Sequence, residues 1–265
     1  MIAILGAGKM GEALLSGLLR AGRAPSDVVV TVRREDHGEK LEQRYGIRIV
    51  SNAEAAAKAD TLLLAVKPQD MPVLLAELGP HVPVERLVIT VAAGITTEFV
   101  QSYLAGGTPC VRVMSNTPVR VDEAMSVISP GLHATEEHLR RAEELLQPVG
   151  KVLRIPEAQQ NAATALSGSG PAYFYYLVET MTDAGILLGL PRAVAHDMIV
   201  QAIVGASAML RDTGEHPVTL REQVTSPAGT TISGIRELER HGVRAAFIEA
   251  IEAARDRAQE LAGGS

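Results

Sequence analysis

Two short segments of this 265-residue chain carry residue types whose spacing points to chemistry. The first is GAGKMG at 6–11, with Gly6, Gly8 and Gly11 separated by Ala7 and by Lys9 and Met10. It follows the apolar run IAIL (2–5) and opens a segment of helical composition, the context that the G-x-G-x-x-G dinucleotide fingerprint requires. Gly6 would permit the tight turn, Gly8 would let a pyrophosphate approach the backbone, and Gly11 would let helix and strand pack closely. The free N–H groups of the helix's first turn would then face the phosphates. A plain cluster of turn glycines is the alternative, and this context weakens it. The second segment is Ser226-Pro227-Ala228-Gly229-Thr230-Thr231, leading into TISGIRELERHG. It offers several backbone N–H groups plus hydroxyls, a nest for a carboxylate that needs no charged side chain. Ser and Thr are also the normal helix N-caps, so an ordinary cap is the competing reading.

The run VVVTV (28–32) leads into Arg33 and Arg34. An NAD site places an acidic residue near here for the ribose 2′-hydroxyl, whereas arginine accommodates a 2′-phosphate, so the pair points to NADP with NADPH preferred and NADH possible. Glu35 follows, and two solvated surface arginines are the alternative. AVKPQ (65–69) and VAAG (91–94) end later apolar runs on the same edge, and Lys67 before Pro68 is expected to be extended. The seven histidines are scattered and Cys110 is the one cysteine, so no metal site is expected and no intrachain disulfide can form.

The elements that must position these residues follow two grammars. From residue 1 to about 155, β-branched runs at 2–5, 28–32, 47–50, 61–66, 87–91, 111–114 and 125–128 alternate with helical segments such as 9–22 and 39–46. Apolar runs without polar alternation suit parallel strands buried on both faces, and the alternation argues for an α/β Rossmann-like doubly wound sheet. After about 158 the text turns Ala-rich and helical, which predicts an all-helical dimerisation domain to follow. The division is placed at 1–157 and 158–265. Residues 243–261 put Val243, Phe247, Ala250, Ile251, Ala254, Ala258 and Leu261 on one stripe. Small-residue faces such as AIVGASAML (202–210) suit half of a dimer core. With 46% hydrophobic and 21% charged residues the chain should fold rather than stay disordered, and a net charge of −6 argues against a nucleic-acid binder. The longest uncharged stretch, 158–178, is interrupted by polar residues and Pro171, so no membrane partner is expected and the location is read as cytoplasmic.

Taken together, GAGKMG (6–11), AVKP (65–68), VAAGI (91–95), RVMSNTP (112–118), TALSGSGPAY (164–173), DAGILLGLPR (183–192) and HPVTLREQVTSPAGTTI (216–232) resemble the pyrroline-5-carboxylate reductase family over essentially the whole chain. The resemblance implies reduction of 1-pyrroline-5-carboxylate to L-proline with NADPH or NADH, the last step of proline biosynthesis, by a homodimer that some members assemble into decamers. It implies that Asn52, Ala65, Val66, Lys67, Pro68 and Ala93 line the NADP site, with Gln223 near the nicotinamide ribose where Asn is frequent. It implies that Ser226, Gly229, Thr230 and Thr231 hold substrate. The sequence departs from the family pattern at Ser115, at Asn161 and at Ala228, where glycine is usual.

Reducing a cyclic imine needs hydride at carbon and a hydrogen-bond donor at nitrogen. Residues 224–235 hold no Asp or Glu, so a hydroxyl is the expected donor, and Thr231 is the expected catalytic residue. A β-hydroxyacid dehydrogenase would use a lysine in the helical half, yet every lysine lies at or before Lys151. A reductase of other cyclic imines and a non-catalytic NADP-binding regulator are the remaining alternatives; the regulator would have no reason to keep an intact SPAGTT loop.

Overall fold

The computed structural model describes residues 1–263. Its first compact unit comprises Met1–Ser169 with the chain from Ala254, and its second is Gly170–Ala253. The sequence division at 157/158 precedes this boundary by a run of short turns.

The first unit is built on eight strands: β1 (Ile2–Leu5), β2 (Val28–Thr31), β3 (Arg48–Ile49), β4 (Thr61–Leu64), β5 (Leu87–Thr90), β6 (Cys110–Met114), β7 (Ala124–Pro130) and β8 (Gly150–Arg154). They form one sheet in the order β3-β2-β1-β4-β5-β6-β7-β8. The strands from β1 to β6 are parallel; β7 runs antiparallel to β6, and β8 pairs in parallel with β7. β8 has no counterpart among the expected strands. It is a half-exposed edge strand carrying Lys151 and Arg154, so it lacks the buried apolar run that marks the central strands.

The intervening helices are α1 (Lys9–Arg20), α2 (Glu35–Tyr45), α3 (Asn52–Lys58), α4 (Met71–Leu78), α5 (Thr97–Gln101) and α6 (Glu136–Leu146). They cover both faces because successive strand residues point opposite ways. Ile2 and Ile4 join Leu14, Leu15 and Leu18 of α1 and Leu145 and Leu146 of α6 in one core. Ala3 and Leu5 join Ala55 and Ala56 of α3 and Met71, Leu74, Leu75 and Leu78 of α4 in the other. Each fully buried Leu or Met contributes about 1.5–3 kcal/mol of transfer free energy, so the four from α4 alone anchor that helix firmly.

After β8 come a turn at Glu157–Gln159, α7 (Gln160–Ala163) and a π-helical turn at Thr164–Gly168. The second unit is helical: α8 (Gly170–Leu187), α9 (Arg192–Thr213), α10 (Pro217–Gln223), α11 (Thr230–Arg240) and the start of α12 (Val243–Gly263). α8 and α9 cross closely at Gly185, where an added Cβ would come within 2.7 Å of the Ala195 Cβ. The unit buries little in the single chain: Phe174, Tyr175, Tyr176, Leu187 and Leu188 of α8 and its turn, and Met198, Val204 and Met209 of α9, are exposed. α9, not 158–178, is the segment long and apolar enough by composition to cross a membrane, with a mean hydropathy of 1.5 and only 6% of that window buried. On the α12 stripe, Val243, Phe247, Ile251, Ala254 and Ala258 are half-buried, while Ala250 and Leu261 are exposed.

Candidate functional site

The strand order reverses at β1, whose neighbours β2 and β4 lie on either side of it. A crevice of about 840 Å³ opens at the carboxyl ends of these three strands. This switch point is where open α/β sheets bind their ligands.

The glycine loop forms one wall. The Gly6 N–H donates to the Thr31 carbonyl at 3.2 Å, and the Ala65 N–H donates to the Leu5 carbonyl at 2.8 Å, so the loops after β1 and β4 are drawn together. Gly6 has φ +95°, and an added Cβ would lie 2.7 Å from Val66 Cγ1. A Cβ on Gly11 would run into the Gly6 carbonyl oxygen, whereas one on Gly8 would meet nothing within 4 Å. The three glycines therefore differ in role: Gly6 turns the chain, Gly11 lets α1 seat against the loop, and Gly8 leaves open space for a ligand. The α1 N-terminus has no side-chain cap, so its first N–H groups are free for an anion. These features fit a dinucleotide pyrophosphate.

Of the residues expected in a cofactor site, Gly6, Ala7, Gly8, Lys9, Arg33, Arg34, Asn52, Ala65, Val66 and Lys67 all line this crevice. Met10 packs partly buried against the core, Gly11 is buried beneath the loop, and Pro68 starts the 3₁₀ turn Pro68–Asp70 just beyond. Lys67 is extended at φ −67°, ψ 150°, as the following proline demands. Ala93 is exposed in the turn after β5, outside the crevice lining. Gln223 ends α10 in the second unit, where its amide donates to Glu215 at 2.7 Å.

Arg33 and Arg34 project with 87% and 71% of their side chains exposed, and their nearest carboxylates, Asp70 and Asp36, stand 3.8 Å away. Neither is committed to a tight intramolecular pair. Asn52 Nδ2 donates to Glu77 at 2.9 Å across the mouth. Glu12 faces the crevice from α1 but is held by Arg44 at 3.0 Å and by the Tyr45 hydroxyl at 3.1 Å. Partial burial pushes the Tyr45 hydroxyl above its ordinary pKa. His37, which motif reading passed over, also lines the crevice, and its Nε2 lies 2.7 Å from the Ala7 carbonyl oxygen. No spacing rule singles it out, because Ala7 is thirty residues away in the chain.

The Ser226–Thr231 segment belongs to the second unit. Ala228 takes φ +57°, a left-handed conformation in which glycine is at ease and alanine is not. The Gly229 N–H donates to the Ser226 carbonyl at 3.1 Å, and a Cβ on Gly229 would strike the Ser226 hydroxyl. α11 then starts at Thr230 with Gly229 as its N-cap residue and no side-chain cap. Neither Ser nor Thr caps this helix. Its first-turn N–H groups and the hydroxyls of Ser226, Thr230 and half-buried Thr231 have no hydrogen-bond partner among the described residues. An uncapped helix start of this kind suits an anion such as a carboxylate.

The chain matches two family models: pyrroline-5-carboxylate reductase dimerisation over residues 157–261, and NADP oxidoreductase, coenzyme F420-dependent, over residues 1–94. It is 42% identical over 264 residues to the pyrroline-5-carboxylate reductase of Corynebacterium melassecola, covering 98% of each chain. Its fold is similar to that of a pyrroline-5-carboxylate reductase from Coxiella burnetii, with TM-score 0.93 and 34% identity over 98% of this chain and 97% of that one. A Plasmodium falciparum pyrroline carboxylate reductase, solved with NADP bound, gives TM-score 0.88 and 25% identity over 98% and 97% of the two chains.

Proposed function

The chain belongs to the pyrroline-5-carboxylate reductase family, and from that premise we infer how its residues reduce 1-pyrroline-5-carboxylate to L-proline. The observation that carries the activity is the 42% identity spanning 98% of both chains, which includes both halves of the machinery. When bound in the crevice lined by Gly6, Gly8 and Lys67, a nicotinamide dinucleotide would supply hydride chemistry for the imine carbon. Everything else is positioning and electrostatics from the protein.

In the first unit, the loop Gly6–Gly11 and the start of α1 receive the pyrophosphate. Ala65, Val66, Lys67 and Asn52 wall the crevice, and Arg33 and Arg34 meet the 2′-phosphate, which makes NADPH the preferred reductant. The two arginines support this because each is exposed and only loosely paired. Ala93 and Gln223 are assigned by family position to the nicotinamide end.

In the second unit, the uncapped start of α11 seats the substrate carboxylate, with Ser226, Gly229 and Thr230 shaping the loop. The Thr231 hydroxyl donates to the imine nitrogen as it becomes an amine. A neutral hydrogen-bond donor suffices, because the proton on nitrogen comes with the fraction of substrate already protonated by water; hydride addition to that iminium carbon leaves a neutral amine whose new lone pair accepts from Thr231. The active species is a homodimer formed through residues of about 160–265. The bare apolar surface of α8 and α9 supports this, because a partner helix covers such a surface without burying unpaired charge. The family resemblance also allows such dimers to assemble into a decamer.

Spectrophotometric oxidation of NADPH by pyrroline-5-carboxylate or by a larger cyclic imine, run beside reduction of NADP+ by a β-hydroxyacid, tests the reading. Turnover restricted to pyrroline-5-carboxylate is expected. Turnover of the hydroxyacid alone would overturn it.

A further inference from the structure

The geometry points to His37 as a positioning residue of the dinucleotide site, one that aims the glycine loop by holding the Ala7 carbonyl. A carbonyl oxygen only accepts, so the ring nitrogen 2.7 Å from it, Nε2, carries the hydrogen and donates. The Ala7 carbonyl and the Gly8 N–H belong to one peptide unit, and no cis peptide bond occurs among the described residues. In a planar trans peptide the two groups point in opposite directions. Pinning the carbonyl toward His37 therefore turns the Gly8 N–H the other way. That N–H has no acceptor among the described residues, and Gly8 is exposed with nothing within 4 Å of the place a Cβ would occupy.

His37 reaches Ala7 because α2 comes down closely on the sheet. Buried Gly38 allows this: a Cβ there would lie 3.0 Å from Val32 Cγ2 and 3.3 Å from Ile49 Cγ1. The first turn of α2 is in turn closed on Arg34, whose carbonyl accepts from the His37 and Gly38 N–H groups at 3.2 Å each. One side chain thus fastens the segment that carries Arg33 and Arg34 to the loop that receives the pyrophosphate. Losing it should loosen the seat common to both dinucleotides, unlike loss of the arginines, which touch only the 2′-phosphate.

The test compares His37→Gln with His37→Asn. A glutamine amide nitrogen sits at about the reach of Nε2, while an asparagine amide ends at about the reach of Nδ1 and falls short of Ala7. Dissociation constants for NADPH and NADH are measured by fluorescence titration and calorimetry on the full chain, with melting temperature as a control. His37→Gln should bind both dinucleotides within about twofold of the parent. His37→Asn should weaken both by a shared factor of about fivefold, the size of one net hydrogen bond. Equal behaviour of the two variants would overturn the assignment. So would a loss confined to NADPH, which would mean that the ring reads the 2′-phosphate directly. The inference rests on the crevice being the dinucleotide site; failure of the unaltered chain to bind either dinucleotide would refute that reading instead.

Discussion

Replacing both Arg33 and Arg34 by alanine should separate the two reduced dinucleotides. Each guanidinium is mostly exposed, at 87% and 71%, and its nearest carboxylate lies 3.8 Å away, beyond hydrogen-bond range. Turning toward a phosphate therefore breaks almost nothing. A hydrogen bond to a charged group contributes about 1.5–3 kcal/mol, and exposure places these two at the lower end. Two contacts at about 1.5 kcal/mol correspond to roughly a hundredfold in the NADPH dissociation constant, and at least tenfold after screening. NADH lacks the 2′-phosphate, so its constant should move by less than about threefold, leaving only the weak long-range pull of the lost charges on its pyrophosphate. Fluorescence titration of both dinucleotides at low and at high salt reads this directly. The NADPH loss should shrink as salt rises, because the contacts it removes are solvent-screened. Equal losses for the two dinucleotides, or no loss for either, would refute the assignment of the pair to the 2′-phosphate.

Thr231→Ala should lower kcat by roughly ten- to a thousandfold, the scale of losing one preorganised donor, with NADPH binding unchanged. Thr231→Ser should recover much of the rate and Thr230→Ala should be mild; the reverse order in steady-state assays would move the donor to Thr230. Ala228→Gly removes a left-handed alanine that costs about 1–2 kcal/mol, and glycine's unfolded-state entropy takes back about 0.4–1. A net gain of between zero and about 1.6 kcal/mol in denaturant unfolding is expected, and a clear loss would show that the methyl is tolerated there. Val204→Glu introduces a charge at a position 55% exposed in the single chain, where water would solvate it. Only a partner would object, so sedimentation should show lost dimer or poor solubility, and an undisturbed dimer would place Val204 outside the interface.

Sequence alone determined the features that are local in cause. β1 is apolar at every position and β4 at every position after Thr61, because both their faces are buried, and that run of residues is visible without neighbours. Gly6, Gly8 and Gly11 were legible from their fixed spacing between a strand and a helix: Gly6 takes a positive φ, Gly11 meets the Gly6 carbonyl oxygen five residues away, and Gly8 leaves open space; the extended backbone of Lys67 follows from Pro68. The loop at Ser226–Thr231 was legible in composition, and the departure at Ala228 fell on a residue that takes a positive φ, as Asp122 also does.

Tertiary structure decided what depends on which segments become neighbours. The reversal of β7 cannot be read from its apolar pattern, because parallel and antiparallel pairing accept the same buried residues. β8 was missed because an edge strand half in water, with Lys151 and Arg154 along it, has no apolar run to announce it. The hydrogen bond from His37 to Ala7 joins two segments thirty residues apart, and it exists only because Gly38 lets α2 settle on β2. The openness of α9 also belongs to tertiary structure: its apolar text fits a core, a membrane or a partner equally well, and only its 6% burial shows that its own chain leaves it uncovered. Local sterics are written residue by residue, whereas pairing, burial and approach are properties of surfaces assembled from distant parts of the chain.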